Sequence, residues 1–276
     1  MSRLFKEEIK SIEQINENIF SMCIYSEVAA KYAVPGQFVN IKCETGLNAY
    51  LRRPISICDI NRDEKYFEII FQVKGKGTKF LSLKKAGEII DFMGPLGTGF
   101  DVKGDYRNIV VIGGGIGIFP LIYLLKKSKA EVKRSILGFR NQGAVILKDR
   151  FEAISNENMI CTDDGSMGMK GFVTDALEMT LQNDPADLIY ACGPIPMLKN
   201  IVKITNKYNI KTQISMEQRM GCGIGACLVC VCKTRAKAGE EPQVLQTAPQ
   251  ELGRCWDYSR VCVDGPVFWA EDVIFE

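Results

Sequence analysis

Over the first hundred positions the apolar residues come in short runs rather than long stripes. "FVNIKC" (38–43) and "FEIIFQV" (67–73) are rich in β-branched and aromatic residues and predict strands. Pro35-Gly36, Gly75 with Gly77, and "MGPLGTG" (93–99) read as turns between such strands. Many short strands between Gly/Pro turns predict a small antiparallel β-barrel over residues 1–103. After "KGDYRN" (103–108) the rhythm changes. "NIVVIGGG" (108–115) predicts a buried strand that runs into a glycine turn. "IFPLIYLLKKSK" (118–129) repeats apolar residues at helical spacing and ends in lysines, which suit a helix C-terminus. "RSILGFR" (134–140) and "DLIYACGP" (187–194) predict further strands. "FVTDALEMTL" (172–181), with Thr174 as its cap, and "PMLKNIVKITNKY" (196–208) predict further helices. Strands alternating with helices predict an α/β doubly wound parallel sheet over 104–214. Residues 215–276 form a small third unit, short for a stable core without a metal. A polar loop, "KTRAKAGEEPQVLQTAPQELGR" (233–254), lies inside it. The chain is therefore expected to be multidomain.

Composition narrows the function. A hydrophobic share of 46% over 276 residues is ordinary for a globular protein. The net charge of +2 and the lack of a basic stripe make nucleic acid and an anionic membrane poor partners. The chain has no histidine, which removes the commonest general base and the commonest metal ligand. Any metal here sits on sulfur or carboxylate. The charged start "MSRLFKEEIKSIEQINENIF" has no apolar h-region, so a secretory signal is not expected. The uncharged run Ile109–Leu125 contains a glycine turn and a proline and is short for a bilayer span. Eleven cysteines are then expected as thiols or metal ligands in a reducing cytoplasm.

Four of those cysteines crowd into "MGCGIGACLVCVC" (220–232). Cys222, Cys227 and Cys230 have the C-x4-C-x2-C spacing of plant-type [2Fe–2S] ferredoxins, which take a fourth cysteine from further along. Gly221, Gly223 and Gly225 would let backbone N–H groups turn inward onto the sulfurs. Cys232 is too near Cys230 to be the fourth ligand. Cys262, between valines and just before a turn in "RVCVDGPVF", is favoured, and Cys255 in "GRCWDY" stays an alternative. A zinc site would ordinarily show two C-x2-C knuckles or a histidine. Cys23, Cys43, Cys58, Cys161 and Cys232 are expected as small buried hydrophobes.

Two further stretches carry binding chemistry. In "LRRPISI" (51–57), Arg53 could pair a phosphate bidentately and Ser56 could hydrogen-bond a ring or phosphate. "GKGT" (75–78) offers a phosphate cradle at Gly77 and Thr78, or else a plain hairpin turn. "VIGGGIGIFP" follows a strand and opens a helix, where the pyrophosphate of a dinucleotide would sit on Gly113, Gly114, Gly115 and Gly117. It departs from G-x-G-x-x-G, because Ile118 fills the last glycine position and Arg140 stands where an acidic residue is expected. Cys192, Gly193 and Pro194 end a later strand, on the side where such sheets bind ligands. Cys192 either lines a nicotinamide site or packs as a core thiol.

In the order "PGQFV", "RRPISI", "GKGT", "GPLG", "GGGIG", "CGP", "GCGIGACLVC" and "VCVDGPVF", the chain resembles the ferredoxin-reductase superfamily. Within it, the chain is similar to the electron-transfer subunits of bacterial class 1B dihydroorotate dehydrogenases. The resemblance implies a barrel that binds FAD, an NAD(H)-binding domain and a C-terminal [2Fe–2S] domain. It implies that Arg53, Pro54, Ile55 and Ser56, then Ile70, Phe71 and Gln72, bind FAD, with Gly77 and Thr78 on its pyrophosphate. It implies Cys222, Cys227, Cys230 and Cys262 as cluster ligands. It further implies an FMN-containing catalytic subunit as partner, two copies of each, in pyrimidine biosynthesis. The polar insert between Cys230 and Cys262 is longer than the family leads one to expect. Rival expectations are an electron-transfer subunit of an NADPH–ferredoxin or sulfide-related oxidoreductase, and a zinc-stabilised redox-sensing interaction protein.

Overall fold

Side chains alternate across a strand, so the apolar set at Ile9, Met22, Val39, Ile41, Ile57, Phe67, Ile69 and Phe92 needs a closed wall to bury it. In the computed structural model, strands β1 (Leu4–Asn16), β2 (Ile19–Tyr25), β3 (Phe38–Lys42), β4 (Arg53–Asn61), β5 (Tyr66–Gln72) and β6 (Ile89–Leu96) supply it. They close an antiparallel barrel in the order β1-β2-β5-β4-β3-β6. The structure describes residues 4–44, 46, 48–236 and 256–275. Cys255 and most of the polar insert lie outside the described residues. Two short helices interrupt the expected run of strands: α1 (Glu27–Tyr32), capped by the Ser26 hydroxyl, and α2 (Lys76–Ser82). At six and seven residues they are too short to show a helical period. "GKGT" is thus a helix start and not a hairpin turn.

The barrel ladder has one parting. β4 pairs with β3 from Arg53 to Ser56, and with β5 only from Ile57 onward. β5 pairs with β4 up to Ile69, while Ile70, Phe71 and Gln72 pair with β2 alone. The two stretches expected to hold a flavin therefore flank the place where neighbouring strands separate.

The second unit contains β7 (Asn108–Gly114), α3 (Phe119–Lys127), β8 (Val132–Phe139), α4 (Lys148–Glu152), β9 (Glu157–Thr162), β10 (Met169–Lys170), α5 (Val173–Asn183), β11 (Leu188–Cys192), α6 (Ile195–Lys207) and β12 (Lys211–Ser215). The third contains β13 (Val231–Arg235), β14 (Trp256–Arg260) and β15 (Val267–Trp269). The central sheet runs β10-β9-β8-β7-β11-β12-β15, parallel except for its last strand. Phe119 to Leu125 of α3 are buried without exception on one face, and α5 and α6 cover the other. Thr174 does not cap α5. The helix begins at Val173, and the Asp175 carboxylate reaches back to the Phe172 N–H at 3.1 Å, filling one of the donors a helix start leaves open. The tail is not a separate lobe. β15 pairs antiparallel with β12, and β13 pairs with β14 beside it.

The barrel and sheet are pinned by charge. Arg150 of α4 donates to Glu68 Oε1 at 2.9 Å and Oε2 at 2.8 Å, and to Asp59 Oδ2 at 3.1 Å. Lys126 of α3 also pairs with Asp59. Arg150→Met takes the cation from the buried Glu68 and leaves Asp59 with Lys126, and it should destabilise the protein by about 2 kcal/mol, below the roughly 3–5 kcal/mol of a fully buried broken pair. Adding Glu68→Gln should recover part of the loss, as coupled neighbours do. Thermal unfolding of the single and double variants checks both statements.

Candidate functional site

The cysteine loop is folded by its own amide groups. The N–H of Ile224 and that of Cys227 both donate to the Cys222 sulfur at 3.4 Å. The N–H of Cys222 donates to the Cys227 sulfur at 3.3 Å, and that of Gly225 to the Cys262 sulfur at 3.2 Å. Gly223 and Gly225 take φ values of +76° and +82°, which only glycine adopts freely, and this turns the amides inward. Cys262 is delivered from the far side by a turn after β14. The N–H of Val261 donates to the Cys230 carbonyl at 2.9 Å, and Arg260 grips Asp264 bidentately at 3.0 and 3.1 Å.

The four thiols fall into two pairs. Cys222 neighbours Cys227, and Cys262 neighbours Cys230, each pair of free thiols within reach of a side-chain hydrogen bond. Burial works to raise the Cys222 thiol, but the surrounding N–H groups and Cys227 bring it down to about 7. Burial and the Cys230 partner push Cys262 up to about 12. Among the described residues, no three His, Cys, Asp or Glu side chains close on one point as a single-ion site requires. Two pairs of thiols under inward amides suit two bridged irons carrying negative charge. Cys232 stands on β13 opposite Ser259 in the apolar core, its thiol pushed up to about 11 by burial and then by Cys230. Cys43, Cys58 and Cys161 are buried as expected, while Cys23 is half-buried.

On the barrel, Arg53 lies over the start of α2. A Cβ on Gly77 would come 3.1 Å from Arg53 Nε, so glycine admits the guanidinium at a helix end whose first N–H groups have no partner inside the helix. A guanidinium beside free amides fits a pyrophosphate. The Thr78 hydroxyl is committed differently from expectation. It accepts from the N–H of Lys74 at 2.9 Å and of Gly75 at 3.2 Å, shaping the turn. Pro54 and Ser56 share the outer barrel face, because they stand opposite Asn40 and Phe38. Ile55, Ile70 and Phe71 are buried, so they would meet a flavin along the backbone, and Gln72 is half-buried at the strand end.

The glycine turn and "CGP" meet at the crossover of the sheet. β7 is followed outward by β8, β9 and β10, and the chain then returns to the other side of β7 as β11. Gly113 and Cys192 are register partners, and Ser215 is the next in that row. A Cβ on Gly117 would sit 2.8 Å from the Gly193 Cα, and one on Gly114 would sit 3.2 Å from the Pro194 ring. These glycines serve close packing of two strand ends, and Gly115, at φ +56° with open space before it, faces outward. Such a crevice is where open α/β sheets bind dinucleotides. Burial pushes the Cys192 thiol up to about 12, against a hydrogen bond from Ser215 that lowers it, so it stays protonated at neutral pH. Arg140 is exposed just past β8.

A flavin-type barrel, a dinucleotide crevice and a four-thiol loop on one frame define a reductase of the ferredoxin-reductase type. Residues 217–274 match the family model described as the iron-sulfur cluster binding domain of dihydroorotate dehydrogenase B, and residues 111–203 match the oxidoreductase NAD-binding domain. A protein of Caldanaerobacter subterraneus named "Dihydroorotate dehydrogenase B (NAD(+)), electron transfer subunit" is 40% identical over 270 residues, 98% of each chain. One of Fusobacterium nucleatum with the same name is 42% identical over 95% of each. The chain belongs to the family of dihydroorotate dehydrogenase B electron transfer subunits. Among solved structures, that of an NADH-dependent reduced ferredoxin-NADP oxidoreductase is similar at a TM-score of 0.80 and 31% identity, covering 97% of this chain and 89% of that one. A ferredoxin NADP+ reductase from Neisseria gonorrhoeae with bound FAD and NADP shares the fold at a TM-score of 0.63 and 16% identity, covering 74% and 91%.

Two residues that touch this site were not singled out by sequence: Ser215, against Cys192, and Asn40, against the cluster loop. The only signal for Asn40 is a polar residue inside the apolar strand "FVNIKC".

Cys262→Ser should lose or alter the visible and low-temperature paramagnetic signature of the cluster, while Cys232→Ser keeps it. The reverse pattern would put the fourth ligand elsewhere. Cys192, protonated far above neutrality, should resist iodoacetamide at pH 8 in the intact protein, as mapped by mass spectrometry.

Proposed function

We propose that this chain passes electrons between NAD(H) and an FMN-containing catalytic subunit that interconverts dihydroorotate and orotate in pyrimidine biosynthesis. The observation that carries the proposal is the presence of three sites on one continuous frame, in a chain that matches its relatives over nearly their full length. FAD, when bound, exchanges hydride with a nicotinamide and single electrons with an iron–sulfur centre. The chain's own task is placement. Arg53 and the N–H groups at Gly77 and Thr78 hold the pyrophosphate. Pro54, Ile55 and Ser56, with the backbone of Ile70, Phe71 and Gln72, line the parting of the barrel. Gly113, Gly114, Gly115 and Gly117, with Cys192, Gly193 and Pro194, seat the dinucleotide. Cys222, Cys227, Cys230 and Cys262 hold the cluster. The functional units lie at 1–103, 104–214 and 215–276, with β15 of the last fastened to the sheet of the second.

Cys227 reaches the surface inside a rim of exposed Ile224, Leu228, Val229 and Val263. An apolar rim around an electron donor suits a protein partner, and we place the catalytic subunit there, two copies of each chain in the assembly. No helix of the described residues is long and apolar enough to cross a membrane. A reducing cytoplasm suits a chain with this many thiols.

The ferredoxin-NADP oxidoreductase likeness, at 31% identity over 97% of the chain, supports a second reading in which the partner is that of a ferredoxin-linked enzyme. Activity separates them. The chain alone should reduce an artificial dye with NADH and form no orotate. Mixed with a catalytic subunit, it should enable NAD-dependent dihydroorotate oxidation. Orotate formation by the lone chain, or coupling only to ferredoxin, would contradict the proposal.

A further inference from the structure

Asn40 is polar, central in β3 and fully buried. Its Nδ2 donates to the Cys222 carbonyl at 3.2 Å, a contact between residues 182 positions apart. That bond fixes which way the amide faces, since only the nitrogen can meet a carbonyl. Its Oδ1 is then buried and has no donor among the described residues. A barrel strand gains nothing from an amide half of which is unsatisfied. The residue is explained by what lies on either side of it.

On the barrel side, Asn40 stands directly opposite Pro54, as Phe38 stands opposite Ser56. Opposed residues of an antiparallel pair project from the same face. Asn40 therefore shares its face with Pro54 and Ser56, while Val39 and Ile41 fill the barrel interior. Phe38 packs into the core that holds Cys230, Val261 and Cys262. On the loop side, a Cβ on Gly223 would come 2.5 Å from Asn40 Nδ2, so the loop is cut to fit this amide. Beneath it, Arg52 donates to the Asn40 carbonyl at 3.4 Å and pairs with Asp91 at 2.7 Å, steadying the backbone.

We propose that Asn40 is a positioning residue that holds the Cys222 end of the cluster loop against the flavin strand and so governs electron passage between flavin and cluster. It touches the backbone of a cluster ligand and neighbours the flavin strand, without ligating metal. The inference rests on the function proposed above. The parent chain is the control for that reading: a parent without flavin or cluster overturns the proposed function, and the variants are measured against a parent that carries both.

The test uses the full chain with both cofactors, in Asn40→Leu, which keeps volume, and Asn40→Ala, which removes it. The readouts are flavin and iron content, the paramagnetic spectrum of the reduced cluster, and stopped-flow separation of flavin reduction by NADH from cluster reduction. Cluster reduction should slow about 10- to 100-fold, the usual cost of losing a partner that orients a ligand. The cluster's spectral positions should shift, and flavin reduction by NADH should stay near the parent rate. Loss of the cluster alone, with flavin content and its reduction kept, also supports the assignment. An unchanged spectrum and cluster-reduction rate would overturn it. Loss of flavin together with the cluster would overturn it too, by making Asn40 a residue of the barrel at large.

Discussion

The arrangement of this molecule depends on one short backbone pairing, that of β15 with β12. Three residue pairs, Gln213 with Trp269, Ile214 with Phe268 and Ser215 with Val267, fasten the tail to the parallel sheet. Because Ser215 is also the register partner of Cys192, and Cys192 of Gly113, the row Gly113, Cys192, Ser215, Val267 crosses four strands. One end of that row is the dinucleotide crevice. The other end leads, five residues earlier in the chain than Val267, to Cys262. The same segment also meets the barrel, where the N–H of Thr98 donates to the Gly265 carbonyl at 2.6 Å and its hydroxyl meets the carbonyl oxygens of Asp264 and Val267, each at 3.2 Å. The tail is thus a clamp on both larger units. A unit this small has little interior of its own, and it buries Cys230, Val261, Cys262 and Phe268 in a cluster shared with the larger units.

Three of the candidate binding places are made by backbone groups whose ordinary partners are withheld. In the cluster loop, positive-φ glycines turn N–H groups onto sulfur. At α2 the helix start supplies amides beside Arg53. At the barrel parting, β4 and β5 separate and leave the edge of Ile70 to Gln72 without its β4 neighbour. Unpaired amides are costly in a buried setting and are natural seats for anionic groups. A pyrophosphate and a negatively charged cluster answer the same need.

Much of this was legible in sequence because the signals are local. C-x4-C-x2-C with interleaved glycines encodes its own loop, and "NIVVIGGG" encodes a buried strand that ends in a turn. What could not be seen was set by distant contacts. The start of α5 depends on Asp175 reaching Phe172, which displaced Thr174 from the cap. Helices α1 and α2 are too short to carry a period. The membership of β15 in the central sheet follows from pairing with a strand more than fifty residues away. Asn40 acquires meaning only when β3 is placed between Pro54 and Cys222. Thr78 kept its place but not its use, since the turn needs the hydroxyl.

A parted barrel and two pairs of thiols on one chain call for a flavin and a two-iron cluster together. The most direct measurement is the iron, acid-labile sulfide, zinc and flavin content of the purified chain, read with the paramagnetic spectrum after reduction. One flavin with two irons and two sulfides is expected, with a rhombic or axial signal of a reduced [2Fe–2S] centre. A colourless chain with one zinc and no flavin would contradict it.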